Sequence, residues 1–98
     1  MNAPAMVYVY SIPGDDDEVT RENYATACCA VQNMALAAVA EGLCLDWSTG
    51  GVTQHPDLAA TLGADESWAM VGALFIGEPE TVPGSRRTPP SEVVTWLP

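Results

Sequence analysis

Residues 21–41 constrain this chain most, because they predict a long helix that is apolar on nearly every side. Apolar side chains recur three and four positions apart along it, which is the spacing of one helical face. The other side is scarcely polar, since the polar side chains within residues 24–40 are Thr26, Gln32 and Asn33. One layer of a 98-residue chain cannot surround such a helix. We therefore expect a second apolar surface from another chain, with small residues such as Ala35 and Ala38 lying against it.

Shorter apolar runs on both sides of the long helix predict strands. The expected order is strand, long helix, strand, short helix, strand and extended tail, with the first strand inside the sheet because both its faces are apolar. Thr20 is the expected N-cap of the long helix, Gly42 its stop, and acidic residues 15–18 a solvated loop before it. The predicted elements are strands at residues 5–12, 43–47 and 69–76, a short helix at 56–63, and a helical turn capped by Ser91.

The charge balance restricts the partners of the chain. There are 13 acidic residues against three arginines and no lysine, which gives a formal net charge of −10. Such a charge repels phosphate backbones and anionic lipids, so neither a nucleic acid nor a membrane is an expected partner. No apolar run is long enough to predict a membrane span. The odd count of three cysteines, without a spacing framework, predicts reduced thiols and a cytoplasmic protein.

Nucleophilic and metal chemistry have little support in the sequence. His55 is the single histidine and no Gly-x-Ser-x-Gly elbow accompanies it, so a structural or merely exposed role is expected. Cys28 and Cys29 lie in the long helix, where buried apolar packing is the expected role. No Cys-x-x-Cys pair indicates a metal site, and Gly50-Gly51 matches no dinucleotide or phosphate loop. The sequence therefore predicts no catalytic side chain and no metal ligand.

Two features remain as candidate binding sites. The run Trp-Ser-Thr-Gly-Gly at residues 47–51 ends a predicted strand, and glycines there let backbone amides approach a flat ligand. Such amides can donate to a ring nitrogen or carbonyl, although a plain turn is the alternative. Arg86 and Arg87 are adjacent cations in a segment flanked by proline and glycine, and guanidinium groups match phosphate geometry. The alternative for this pair is an ion pair with a surface carboxylate.

Four segments of the sequence resemble the FMN-dependent nitroreductase family. They are residues 24–38 with their Ala-Val-Gln-Asn-Met run, 42–50 with their Thr-Gly turn, 71–79 with their Gly-x-Pro ending, and 86–94. The resemblance covers almost the whole chain from about residue 3. It implies an α+β fold, an α/β sandwich of nitroreductase type in which a long central helix packs on a mainly antiparallel sheet.

The resemblance also implies a function. Members of this family transfer a hydride from NAD(P)H to N5 of FMN and then pass electrons to a small acceptor in a ping-pong cycle, so that the flavin carries the difficult chemistry. Thr49 and Gly50 would supply the backbone contact near N5 and O4, one arginine would contact the phosphate, and the long helix would pack against its twin in a homodimer. The implied cofactor-binding residues are Trp47, Ser48, Thr49, Gly50, Arg86 and Arg87.

Residues 1–98 resemble only the C-terminal half of the nitroreductase domain. The family's Arg-Arg-Ser-like motif and its Ser- or Asn-containing segment, both N-terminal, have no counterpart in this sequence. The chain would then be a fragment of a longer gene product, a subunit that pairs with a second polypeptide, or a reduced relative that has lost flavin. We expect one of the first two. A flavin-free interaction subunit, which uses the same apolar helix for association, is the rival hypothesis.

Overall fold

Helix α1 spans Asp17–Ala40 in a computed structural model that describes residues 2–98. Its N-cap is Asp16, whose carboxylate accepts a hydrogen bond from the Val19 amide at 2.8 Å. The prediction of Thr20 as N-cap is therefore wrong. The Thr20 hydroxyl lies within the first turn of the helix, where it accepts a hydrogen bond from the Gly14 amide at 3.0 Å. It thereby ties the preceding loop to the helix.

The ends of α1 follow from local chemistry. The predicted acidic loop at residues 15–18 is only partly loop, because Asp17 and Glu18 form the first helical turn. Negative charge is favourable there because the helix dipole is positive at this end. At the other end Gly42 adopts φ +76°, a left-handed conformation that glycine tolerates best. The helix thus stops where the sequence predicted.

The two faces of α1 have different surroundings. On the inner face Val31 is fully buried and Ala38 nearly so, while the outer face exposes apolar side chains that include Leu36 and Val39. Burial on all sides is therefore not provided within this chain, and the second apolar surface stays a prediction. Ala35 and Ala38 lie one helical turn apart on the inner face, where Ala38 is buried and Ala35 is half-buried. The expectation that they lie against another chain stays a prediction.

Three strands form one antiparallel sheet: β1 (Asn2–Ser11), β2 (Cys44–Ser48) and β3 (Ala69–Glu78). Their order is β1-β3-β2, so the last strand in the chain is the central one. Leu74 of β3 lies opposite Val7 on one side and Trp47 on the other. Within residues 2–98 β1 is an edge strand, and its predicted internal position is wrong. Its apolar residues on both faces reflect packing above and below the sheet, which does not require a neighbouring strand on both sides.

The core lies between α1 and one face of the sheet. Val31, Val71 and Leu74 are fully buried and form one cluster. Partly buried apolar side chains from the helix and from β1 and β2 pack around it. The predicted arrangement of a long helix on an antiparallel sheet is thus confirmed. The expected burial of the helical cysteines is only half correct, since Cys28 is half-buried and Cys29 is exposed.

The segment between β2 and β3 contains a short helix, α2 (Leu58–Leu62). It ends at Gly63 with φ +74°, as the sequence predicted. The ring of His55 accepts a hydrogen bond from the Asp57 amide at 3.1 Å, which supports a structural role for this histidine. The loop before α2 is thereby held by a local bond.

The segment after β3 is exposed throughout residues 79–98. Its single helical turn, α3, spans Pro90–Val93 with Pro89 at the N-cap, so the prediction of Ser91 as a cap is wrong. Trp96 and Leu97 are 89% and 85% exposed. Two large apolar side chains in water indicate that the end of this segment has no docking place within residues 2–98. Among the helices of residues 2–98, none combines the length and apolarity that crossing a bilayer requires.

Candidate functional site

The candidate site is the turn that follows β2. This strand ends at Ser48, which lies opposite Ala73 of the central strand. The chain then passes through Thr49 and Gly50 into a single 3-10 turn, Gly51–Thr53. Both Thr49 and Gly50 are exposed, whereas Ser48 is half-buried. The turn residues named by the sequence therefore lie together at one end of the sheet.

Thr53 determines which backbone groups of the turn remain unused. Its hydroxyl lies within hydrogen-bond distance of the carbonyls of Thr49 (3.0 Å) and Gly50 (2.8 Å), and its amide donates to the Gly50 carbonyl at 2.9 Å. Both carbonyls are thus engaged inside the turn. Outside the strand ladder, the amides of Thr49 and Gly50 donate to no acceptor within residues 2–98. The turn therefore presents two adjacent hydrogen-bond donors.

The glycines keep one side of the turn open. A side-chain carbon added at Gly50 would come no closer to another residue than 4.0 Å, at the Ser48 hydroxyl. One added at Gly51 would meet nothing within 4 Å. A planar group can therefore approach this backbone directly. The arrangement suits binding and polarisation of a ligand acceptor atom, whereas proton transfer would need an acid or base that the turn residues lack.

A tyrosine from β1 supports the far end of the turn. The Tyr8 hydroxyl donates to the Val52 carbonyl at 3.3 Å and so links the edge strand to the 3-10 turn. The sequence analysis missed both Tyr8 and Thr53. Thr53 has a local signal, because a threonine hydroxyl commonly bonds to a carbonyl three or four residues back. Tyr8 has none, since its partner lies 44 residues away.

Trp47 is engaged with its own sheet. Its indole nitrogen donates to the carbonyl of Val71 at 3.1 Å, although the side chain is 38% exposed. The donor group of this indole is therefore used inside the protein. A ligand at the turn could meet the exposed part of the ring, but it would compete with Val71 for the N–H.

Arg86 and Arg87 lie in the exposed segment that follows β3. They border a shallow depression of about 360 Å³, together with Thr88, Pro89 and Glu92. Neither Thr49 nor Gly50 lines that depression. That the arginines and the turn contact one ligand stays a prediction.

Comparison with known proteins identifies the chain's relatives. The model of the nitroreductase family matches residues 1–78. The chain belongs to the nitroreductase family. The Escherichia coli protein named "Putative NAD(P)H nitroreductase YdjA", from strains K12 and O157:H7, is 34% identical over 79 residues. That alignment covers 80% of this chain and 43% of YdjA.

Solved nitroreductase structures share the fold. A Bacillus cereus nitroreductase-like protein superposes with a TM-score of 0.84 at 31% identity, covering 97% of this chain and 51% of that one. A Desulfovibrio desulfuricans protein of nitroreductase type, solved in complex with FMN, superposes with a TM-score of 0.76 at 28% identity. That match covers 98% of this chain and 56% of the other. The predicted family and fold class are confirmed, and the chain spans about half the length of these relatives.

The extent of the family match separates the two candidate regions. Residues 1–78 include the turn at Thr49 and Gly50, so the turn belongs to the nitroreductase portion of the chain. Arg86 and Arg87 lie beyond residue 78. Their assignment to a cofactor phosphate therefore depends on their chemistry and not on the matched family segment.

Proposed function

We propose that this nitroreductase chain binds FMN at its Thr49–Gly50 turn and forms part of a cytoplasmic NAD(P)H oxidoreductase that reduces a small acceptor. The observation that carries the proposal is the pair of unused amides on an open, glycine-bordered edge. Its other support is the family, which includes a relative named for NAD(P)H and a structural neighbour solved with FMN.

The donor chemistry of the turn fits a flavin ring. An isoalloxazine presents a ring nitrogen and a carbonyl oxygen on one edge, and two adjacent amides can donate to such a pair. FMN would supply two-electron transfer from a nicotinamide to a second substrate. Fixed donors favour the state in which negative charge develops on the atoms they contact. Thr49 and Gly50 would thereby bind the ring and also favour its reduced form.

Titration of the chain with FMN tests the proposal. Because the chain spans about half of its relatives, we expect it to bind FMN weakly by itself. Co-expression with the N-terminal half of a nitroreductase relative should give a yellow complex that contains FMN. Absorbance and flavin fluorescence report both results. A folded complex that remains colourless would contradict the proposal and favour the flavin-free interaction subunit. Tight stoichiometric FMN in the chain alone would show that the other half is dispensable for binding.

Replacement of each arginine by alanine tests the phosphate contact. Adjacent side chains of an extended segment point to opposite sides, so one of Arg86 and Arg87 is expected to face the phosphate. A charge-assisted contact contributes about 1.5–3 kcal/mol, so Arg→Ala at that position should weaken FMN binding roughly tenfold or more. The neighbouring replacement should have little effect.

Riboflavin is the control ligand for the arginine variants, because it has no phosphate. Its affinity should be equal in the unmodified protein and in both variants. If both variants kept full FMN affinity, neither arginine would contact the phosphate. Arg86 and Arg87 would then be ordinary surface charges. Equal losses of FMN and riboflavin affinity would also contradict it, since they would indicate damage to the ring site.

We further propose that two copies associate through the outer face of α1. That face exposes Met34, Leu36 and Val39 to water, and the C-terminal segment adds Trp96 and Leu97. Exposed apolar side chains in such number mark an interaction surface more often than a free one. Association would bring a second chain's apolar surface to the helix.

A further inference from the structure

The bond between Trp47 and Val71 lies at an irregularity of the sheet. Val9 of β1 lies opposite Gly72, and the next residue, Tyr10, lies opposite Met70. Val71 is therefore an extra residue in the central strand, a β-bulge without a partner on β1. The indole N–H of Trp47 donates to its carbonyl at 3.1 Å. The Trp47 side chain of β2 thus donates to the Val71 carbonyl at the point where the regular ladder between β1 and β3 is interrupted.

Gly72 makes room for this indole. A side-chain carbon added at Gly72 would overlap Nε1 of Trp47, lie 2.5 Å from its Cδ1 and lie 3.2 Å from the Ser48 carbonyl. The glycine therefore allows the indole to lie directly against the backbone of the central strand. Any larger residue would have to displace the ring or the end of β2.

The contacts of Trp47 lie immediately before the Thr49–Gly50 turn, the candidate flavin site. Trp47 fixes the strand one residue before Ser48, and Thr53 with Tyr8 fixes the 3-10 turn on the other side. The amides of Thr49 and Gly50 lie between these two anchors. If Trp47 lost its bond, the backbone pairing of Ser48 with Ala73 alone would restrain them on the strand side.

We infer that Trp47 is a positioning residue: its bond to the Val71 carbonyl and its packing on Gly72 hold the Thr49 and Gly50 amides where a flavin ring can accept from them. This inference rests on the proposed flavin function. It assigns to Trp47 a role through the backbone, whereas a direct role would need the indole N–H or the ring face to meet the flavin.

Trp47→Phe separates the two roles, because phenylalanine keeps an aromatic face and loses the N–H. In the full chain, ¹⁵N relaxation should show the order parameters of the Thr49 and Gly50 amides falling from about 0.85 to below about 0.6. In the FMN-binding complex with the N-terminal half of a relative, FMN and riboflavin affinity should both fall about tenfold, as expected for one lost hydrogen bond at the ring site. The arginine variants would lower FMN affinity alone, so the pattern distinguishes ring from phosphate.

Matched variants control for general damage. Trp68→Phe removes another indole, whose ring centroid lies 6.3 Å from that of Tyr10, and should change neither the amides nor the affinities. Gly72→Ala should reproduce the effect of Trp47→Phe by displacing the indole. Gly84→Ala should change neither the amide order parameters nor the flavin affinities, because nothing lies within 4 Å of a carbon added there.

Three outcomes would overturn the inference. Unchanged amide order with unchanged flavin affinities would show that the bond does not position the turn. Lower thermal stability with fully ordered amides would assign Trp47 a purely structural role. Lower flavin affinity with ordered amides would indicate direct contact with the ring. If the unmodified protein binds no flavin in any form, the proposed function fails, and the relaxation result alone decides whether Trp47 positions the turn.

Discussion

Leu36→Asp should convert the assembled protein into monomers while leaving the helix folded. Leu36 is 59% exposed on the outer face of α1, so a single chain gains little from its burial. In a dimer its burial would contribute about 1.5–3 kcal/mol, and a symmetric interface contains it twice. The expected loss is on the order of 4 kcal/mol, or roughly 10³-fold in the dimer dissociation constant. Light scattering over a dilution series measures the change, and circular dichroism checks the helix.

Gly84→Asp is the matched control for this prediction. It adds the same charge to the chain at a position where nothing lies within 4 Å. The dissociation constant should therefore change little. A stable, folded monomer of the unmodified chain at micromolar concentration would contradict the proposed dimer. Unchanged association of the Leu36→Asp variant would place the interface on a different surface.

Leu74→Ala should remove much of the stability of the fold. Leu74 is fully buried in the central strand and belongs to the cluster with Val31 and Val71. Truncation of a buried leucine costs about 2–5 kcal/mol, through lost apolar burial and through the cavity it leaves. The total free energy of unfolding of a small domain is only about 5–15 kcal/mol. Urea unfolding at a fixed protein concentration should show a large fall in the midpoint.

Leu62→Ala is the corresponding control in the short helix α2. Leu62 is 43% exposed, so its truncation removes less buried area and leaves no closed cavity. The expected loss in the free energy of unfolding is below about 1 kcal/mol. Equal losses for Leu62→Ala and Leu74→Ala would mean that the cluster around Val31 does not form the core of the fold.

Local sequence patterns predicted the helices and strands of the fold, but not which strands lie next to each other. Apolar spacing indicated the long helix, and Gly42 and Gly63 ended helices as expected because both adopt positive φ. The N-cap was misplaced because Asp16 and Thr20 are both good capping residues, and only three-dimensional geometry shows which one reaches a free amide. The edge position of β1 was missed because strand order depends on pairing between distant residues.

For the candidate site, as for the fold, the sequence predicted local features but not long-range contacts. Gly50 and Gly51 at a strand end indicated an accessible backbone, and the structure leaves that backbone open. The role of Thr53 was not foreseen, although a threonine hydroxyl commonly bonds to a carbonyl three or four residues back, as this one does. The bond from Trp47 to Val71 depends on a bulge, and a bulge is a difference in register between two strands. A sequence pattern does not show which residues of two distant strands lie opposite each other.

The open outer edge of β1 has a consequence for the colloidal behaviour of the chain. This strand has no charged side chain, and Pro4 is its single residue without an amide hydrogen. Such an edge can recruit a strand from another copy and begin aggregation. The net charge of −10 opposes this by repulsion between copies. That repulsion extends about 10 Å at 0.1 M salt and about 3 Å at 1 M. Low ionic strength, more than dilution, is therefore the condition that protects this edge.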